Sequence, residues 1–181
     1  MIWHHDSLYI SQFFGILAIV ANIVKFTRHG RRRIILWGLP VSVFFALSQF
    51  FLGEAQGAAV SLIGFLSGFL NLELNRPDQF RLRFGISSAA ILMAVTFVPP
   101  IFTVWTTFLP FAVFVIARIG QMTHSELRMR SIWLIGTVLW LIYFVATGNY
   151  ALIASEVLVL FLTTKKIVYL NPRAAAGLWM R

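Results

Sequence analysis

Glu156 is the residue in this chain whose type and position most directly imply chemistry. It lies about six residues, roughly 9 Å of helix, inside the apolar run that starts near Tyr150. An ionisable group at that depth in hydrocarbon is costly, and such groups ordinarily face a cavity, a polar partner or a path for an ion, proton or solute. A second set follows helical spacing: Trp133, Trp140 and Tyr143, with Gly136, Thr137 and Thr147, fall along one helical face. Aromatic walls with a polar tip suit a planar or sugar-like solute, although such a stripe also serves as packing or as an interfacial belt. Amides supply a third group. Gln12, Asn22 and Gln49 interrupt apolar runs, where an amide either lines a pathway or bonds to a neighbouring helix.

Smaller residues indicate how the helices carrying these groups would pack. Ser11, Gly15, Ala18 and Asn22 recur at i, i+4, i+7 and i+11, a narrow face that lets another helix approach closely. Gly64-x-x-x-Gly68 permits tight crossing, either within the molecule or as a homodimer seam. Pro40 and Pro110 each remove a backbone hydrogen bond inside an apolar run and are expected to act as hinges or static kinks.

Several chemistries are disfavoured. There is no cysteine, so disulfides, thiolate metal sites and cysteine nucleophiles are excluded. His4, His5 and Asp6 are adjacent on what reads as a terminal tail, which does not pre-organise a metal site. His29 and His124 fall in basic turns, away from the core. With no paired carboxylates, no Ser/His/Asp set and no His-Glu-x-x-His, neither an enzyme nor a cofactor is expected.

The elements that must position these residues are membrane spans. A chain of 181 residues that is 59% hydrophobic, with mean hydropathy +0.83, has too little polar surface for a soluble domain. Apolar runs cover about 8–26, 34–52, 57–74, 84–98, 101–119, 131–147 and 150–167, most near the ~20 residues that cross a bilayer. The run 84–98 is the shortest, and Arg81 and Arg83 before it are expected to snorkel to the interface; Pro99-Pro100 ends it. All 15 Lys and Arg residues fall on one side of the membrane in this reading, which places the N-terminus outside and the C-terminus in the cytoplasm. The pI near 11 is then explained by topology and anionic head groups, and nucleic acid is not an expected partner.

A weak internal repeat at an offset of 95 residues pairs His29 with His124, Arg33 with Arg128, Gly53 with Gly148 and Ala59 with Ala154. Two three-helix units in the same orientation need an odd helix between them. The expected architecture is therefore all-α and polytopic, with seven transmembrane helices in a single domain. A first unit at 8–74, a linker helix at 84–98 and a second unit at 101–167 make a 3+1+3 arrangement, followed by a cytoplasmic tail at 168–181.

Specific residues also resemble a known family. Gln12-x-x-Gly15, Ala18, Phe26 and the turn with Arg28, Arg31 and Arg32 are similar to the opening of the YgjV family of bacterial inner-membrane proteins. Gln49 to Gly53 with Gly57-Ala58 resembles its second hairpin, and Leu109-Pro110 its Leu-Pro. Met129-Arg130 and the series Trp140, Gly148, Glu156 resemble its later half. Tyr143-Phe144 stand where that family carries His-Asn, and the Gly53–Gly57 connection is one residue shorter. The resemblance implies a multi-pass protein of the bacterial inner membrane with a fold similar to SWEET sugar transporters and PnuC-type vitamin transporters. Two functions follow as expectations. The first is a transporter or facilitator for an unknown small polar solute, with Glu156, Trp140, Tyr143, Asn22, Gln49 and Gln12 along the path and rocking of the two units giving alternating access. The second is a non-transporting scaffold or accessory subunit, with the lipid bilayer and another membrane protein as partners.

Overall fold

The computed structural model describes residues 3–74, 77–97 and 105–170. Among these residues the chain forms seven α-helices and a one-turn 3-10 helix at Pro77–Gln79. They are α1 (Trp3–Thr27), α2 (Arg31–Phe51), α3 (Ala55–Asn71), α4 (Phe80–Phe97), α5 (Trp105–Met122), α6 (Glu126–Thr147) and α7 (Tyr150–Leu170). The Pro99-Pro100 break, the start of the fifth run at Ile101 and the tail from Asn171 lie outside the described residues.

Helix ends follow local chemistry. Gly53 and Gly148 close α2 and α6 with φ of 81° and 70°, the left-handed conformation that glycine adopts without a Cβ penalty. Ser125 opens α6 by accepting a hydrogen bond from the Arg128 amide. The helices outrun the apolar runs at their basic ends: α2 starts at Arg31 and α6 at Glu126, so residues read as turns are helical. His4, His5 and Asp6 likewise belong to α1 rather than to a tail. The short fourth run lengthens to 18 residues, about 27 Å, close to the ~30 Å of a hydrocarbon core. Arg31 and Glu126 open α2 and α6, and Ala55 and Tyr150 open α3 and α7, each pair 95 residues apart.

The packing is inverted relative to a water-soluble bundle. Phe13, Ile16 and Val20 on α1, Leu66 and Phe69 on α3, and Val157 and Phe161 on α7 are exposed. Among the largest fully buried side chains are Arg83, Arg130, Gln49, Asn22, Asn71 and Asn149. The interior also holds hydrophobic clusters, such as Phe45, Tyr143, Phe144 and Leu152, and an apolar exterior with polar groups satisfied inside is the arrangement hydrocarbon solvent favours. Asp6–Thr27, Arg31–Phe51 and Glu126–Thr147 are long and apolar enough to cross a membrane, and Ala55–Asn71 and Phe108–Met122 are shorter apolar helices.

Packing neighbours close a circuit. Along it α1 packs on α2, α2 on α3, α3 on α5, α5 on α6, α6 on α7 and α7 back on α1; α4 packs outside, on α3 and α5. The narrow face of α1 works as its residue sizes predict. Ser11 and Ser48 exchange hydroxyl-to-carbonyl bonds of 2.8 and 2.9 Å, and Gly15 lies so close to Ala151 that a Cβ there would stand 2.5 Å from the alanine methyl. On α4 the buried positions Arg83, Ser87, Ala90 and Ala94 form one stripe at helical spacing, facing its two neighbours.

Candidate functional site

Six helices contribute to a cavity of about 140 Å³ in the middle of the circuit, and α4 contributes nothing. Each lining set is a helical face: Asn22 and Lys25 on α1, Gly38, Ser42 and Phe45 on α2, Ser61, Gly64 and Gly68 on α3. Phe114, Arg118 and Gln121 come from α5, Trp133, Thr137 and Trp140 from α6, Glu156 and Val159 from α7. The volume is close to that of engineered protein cavities that hold a single benzene, about 150 Å³. Glycine creates the space on α3. A Cβ at Gly64 would find its nearest neighbours at 3.9 Å, so the position opens onto the void and is not pressed against another helix.

Three charged side chains line this space. Glu156 is 3% exposed, lines the space together with Thr137, whose hydroxyl donates to the Trp133 carbonyl at 3.1 Å, and lies within electrostatic range of Lys25. Beside it, Ser155 accepts a 2.9 Å bond from the Asn22 amide, which fixes the register of α7 against α1. Lys25 holds its ammonium 4.6 Å from the centre of the Trp133 ring and 4.7 Å from that of Phe26, cation–π contacts on apolar walls. Arg118 is 5% exposed, lies over the Phe114 ring at 5.1 Å and donates to the Gly64 carbonyl and the Ser67 hydroxyl. Its Nε is buried with no hydrogen-bond partner among the described residues.

Polar ties lie beyond each end of the cavity. At the end with few basic residues, the Tyr143 hydroxyl donates to Glu54 at 3.0 Å and the Gln49 amide to Ser61 at 3.3 Å. Asn149 donates to Ser48 at 3.0 Å, and the Ala151 amide donates to Gln12 at 2.8 Å. At the basic end two arginines reach across to carbonyls at the ends of other helices. Arg31 donates to Gln121 and Leu74 (3.0 and 2.9 Å), and Arg130 donates to Phe26 and Arg28 (3.2 and 2.8 Å) while pairing with Glu126. Phe26 and Gln121 are 95 residues apart, so each arginine closes an equivalent helix end on the opposite side of the repeat. Positive charge at a helix C-terminus also suits the helix dipole. Arg83 bonds the Leu74 carbonyl and the His124 ring, and burial together with Arg83 and Arg31 holds the His124 imidazole below its usual range.

Of the residues singled out by sequence, Asn22, Trp133, Gly136, Thr137, Trp140, Glu156, Gly64 and Gly68 line the cavity. Gln49, Tyr143 and Gln12 do not; they belong to the ties at one end. Pro40 sits within α2 between two lining residues, Leu39 and Val41, and Pro110 is buried in α5. Two expectations need correction. Arg83 does not snorkel: it is fully buried because its guanidinium satisfies a carbonyl left open by the end of the third run. Basic residues are likewise not all committed to topology and head groups, since Arg31, Arg118 and Arg130 are buried as well. Sequence reasoning missed Lys25 and Arg118 as cavity residues. A signal was present for the first, because the α1 stripe of Ser11, Gly15, Ala18 and Asn22 reaches Lys25 at its next helical step.

The family of bacterial inner membrane proteins designated Imp-YgjV matches the chain over residues 9–173, and the chain belongs to that family. Neither a curated protein nor a solved structure matches it.

Proposed function

We propose, with membership of this inner-membrane family as the premise, that the chain is a small-solute transporter or facilitator working by alternating access and not an enzyme. In this reading a three-helix unit at 8–74 and another at 101–167, joined by the linker helix α4, rock about a solute held between them, in a fold like that of SWEET and PnuC-type transporters. All seven helices cross the membrane, with the N-terminus outside and the C-terminus in the cytoplasm.

The observation that carries the proposal is the cavity itself: all six helices of the two units line it, with Lys25, Arg118 and Glu156 on its wall, while α4 stays outside. Matching helix starts at an offset of 95 residues support the two-unit description. The positive-inside pattern of the 15 Lys and Arg residues supports the orientation. Ties between the units lie both above and below the cavity, as alternating access requires. Each tie is a small set of hydrogen bonds, about 0.5–1.5 kcal/mol net for a neutral pair and about 1.5–3 kcal/mol where a charged group takes part, so an end opens by exchanging a countable number of polar contacts.

The test is solute entry into proteoliposomes followed by light scattering. After an osmotic upshift with a small permeant solute, vesicles carrying the protein re-swell faster than empty ones for at least one solute class. Gly64→Leu fills the void and abolishes this difference, whereas Gly64→Ala leaves it in place. Re-swelling that is no faster than in empty vesicles for neutral, anionic and cationic solutes alike overturns the transport reading.

A further inference from the structure

The charges on the cavity wall do not balance, and from this we infer that the solute is a small organic monoanion, a monocarboxylate of about six to nine non-hydrogen atoms. The inference rests on the cavity being the solute site of the transport reading. Lys25 and Arg118 contribute two formal positive charges and Glu156 one negative charge to one space of about 140 Å³. A single anionic group restores neutrality there. Unbalanced charge in a poorly solvated cavity is costly, and a solute that removes the imbalance gains affinity from doing so.

Hydrogen bonding leads to the same class. The Lys25 ammonium faces two aromatic rings and makes no hydrogen bond among the described residues, so its donors stay available. Arg118 spends Nη1 on the Gly64 carbonyl and the Ser67 hydroxyl, whereas its Nη2 makes no hydrogen bond among the described residues and borders the open space at Gly64. Ammonium and guanidinium donors with spare capacity call for an acceptor-rich group, and a carboxylate offers two oxygens with about four lone-pair sites. Glu156 lines the same pocket and can accept from a hydroxyl on the same solute. A neutral sugar-like solute would leave one of the two cations without a counter-charge.

The experiment compares carboxylates of three to seven carbons, among them lactate, 3-hydroxybutyrate and benzoate, each with its neutral amide. The full-length protein is purified in detergent, and binding is read by quenching of tryptophan fluorescence, since Trp133 and Trp140 line the site. At least one carboxylate binds about tenfold or more tightly than its amide. Arg118→Gln and Lys25→Met each weaken that carboxylate by about tenfold or more, the worth of one charge-assisted hydrogen bond, while Arg118→Lys and Lys25→Arg stay within a few-fold. Equal or tighter binding of the amide in every pair overturns the inference, and this result needs no variant to fold. Proteoliposome flux separates the two claims: neutral solute entering at a rate indifferent to Arg118→Gln overturns the monoanion and leaves transport standing. Charge-dependent binding without flux of any solute overturns transport and leaves the anion site standing.

Discussion

Replacing Arg130 by Gln tests whether buried arginines hold the basic end of the bundle together. The side chain is fully buried, and its three nitrogens donate to Glu126 (2.9 Å), the Phe26 carbonyl (3.2 Å) and the Arg28 carbonyl (2.8 Å). Gln keeps two donors on a shorter stem, so it cannot span acceptors on both α1 and α6. Two carbonyls near the end of α1 then lose a partner, and Glu126 keeps the Gly30 amide at 2.8 Å but loses its arginine. Arg130 is buried but Glu126 is 19% exposed, so the cost is that of three charge-assisted hydrogen bonds offset in part by the Gln amide, about 3–5 kcal/mol. For a chain of this size each kcal/mol lowers Tm by about 2–4 °C, which gives a fall of roughly 6–20 °C. Thermal unfolding in detergent, followed by the fluorescence of the 6 tryptophans, reads it directly. A cycle with Glu126→Gln separates the pair from the carbonyls: the double variant is less destabilised than the sum of the single ones by about 1.5–3 kcal/mol, the range for hydrogen bonds to charged groups. A fall below about 2 °C for Arg130→Gln would show that the carbonyls find other partners and that the arginine clamp holds nothing.

Two glycines on facing helices predict opposite outcomes. At Gly120 a Cβ would stand 2.3 Å from the indole nitrogen of Trp133, which is itself bonded to the Ala117 carbonyl, so Gly120→Ala overpacks the site and costs about 1–3 kcal/mol in thermal unfolding. Gly64→Ala meets nothing nearer than 3.9 Å and gains helix propensity, so it is neutral or stabilising by up to about 1 kcal/mol. His124 predicts a pH dependence. Partial desolvation and the neighbouring Arg83 and Arg31 lower the folded-state pKa of this exposed ring, so its contribution to stability is present above the unfolded value of about 6.5 and is lost as pH falls through the folded value. Tm measured from pH 7.5 down to pH 5 declines in the native protein, and His124→Gln makes that decline shallower; an unchanged slope refutes the assignment.

How much of this was legible in the sequence depends on what each residue's role required. Gly53 and Gly148 mark helix ends by their own backbone chemistry, and the apolar runs between them are long enough to locate each helix to within a few residues. Glu156 and Asn22 could be singled out because a polar group amid apolar neighbours is anomalous at any register. Lys25 and Arg118 were hidden for the opposite reason. At the end of an apolar run a basic residue is what topology already demands, so nothing in its type separates a head-group contact from a cavity wall. Only its helical face does, and that face is fixed by packing between helices far apart in sequence, such as α1 against α7. Tyr143 misled in a related way. It shares the face of Trp140, but three residues further along α6 its hydroxyl reaches Glu54, past the end of the cavity.

Whether solution and solute reach the space around Glu156 between the two units is read by thiol accessibility. Because the chain has no native cysteine, Glu156→Cys introduces a single thiol, and Leu66→Cys, exposed on the apolar exterior of α3, serves as the lipid-facing control. A membrane-impermeant thiol reagent is applied to intact cells and, separately, to inside-out vesicles. Position 156 is expected to label from both sides, faster than position 66, and more slowly in a saturating carboxylate. A folded Glu156→Cys protein that stays unlabelled from either side would contradict the transport reading.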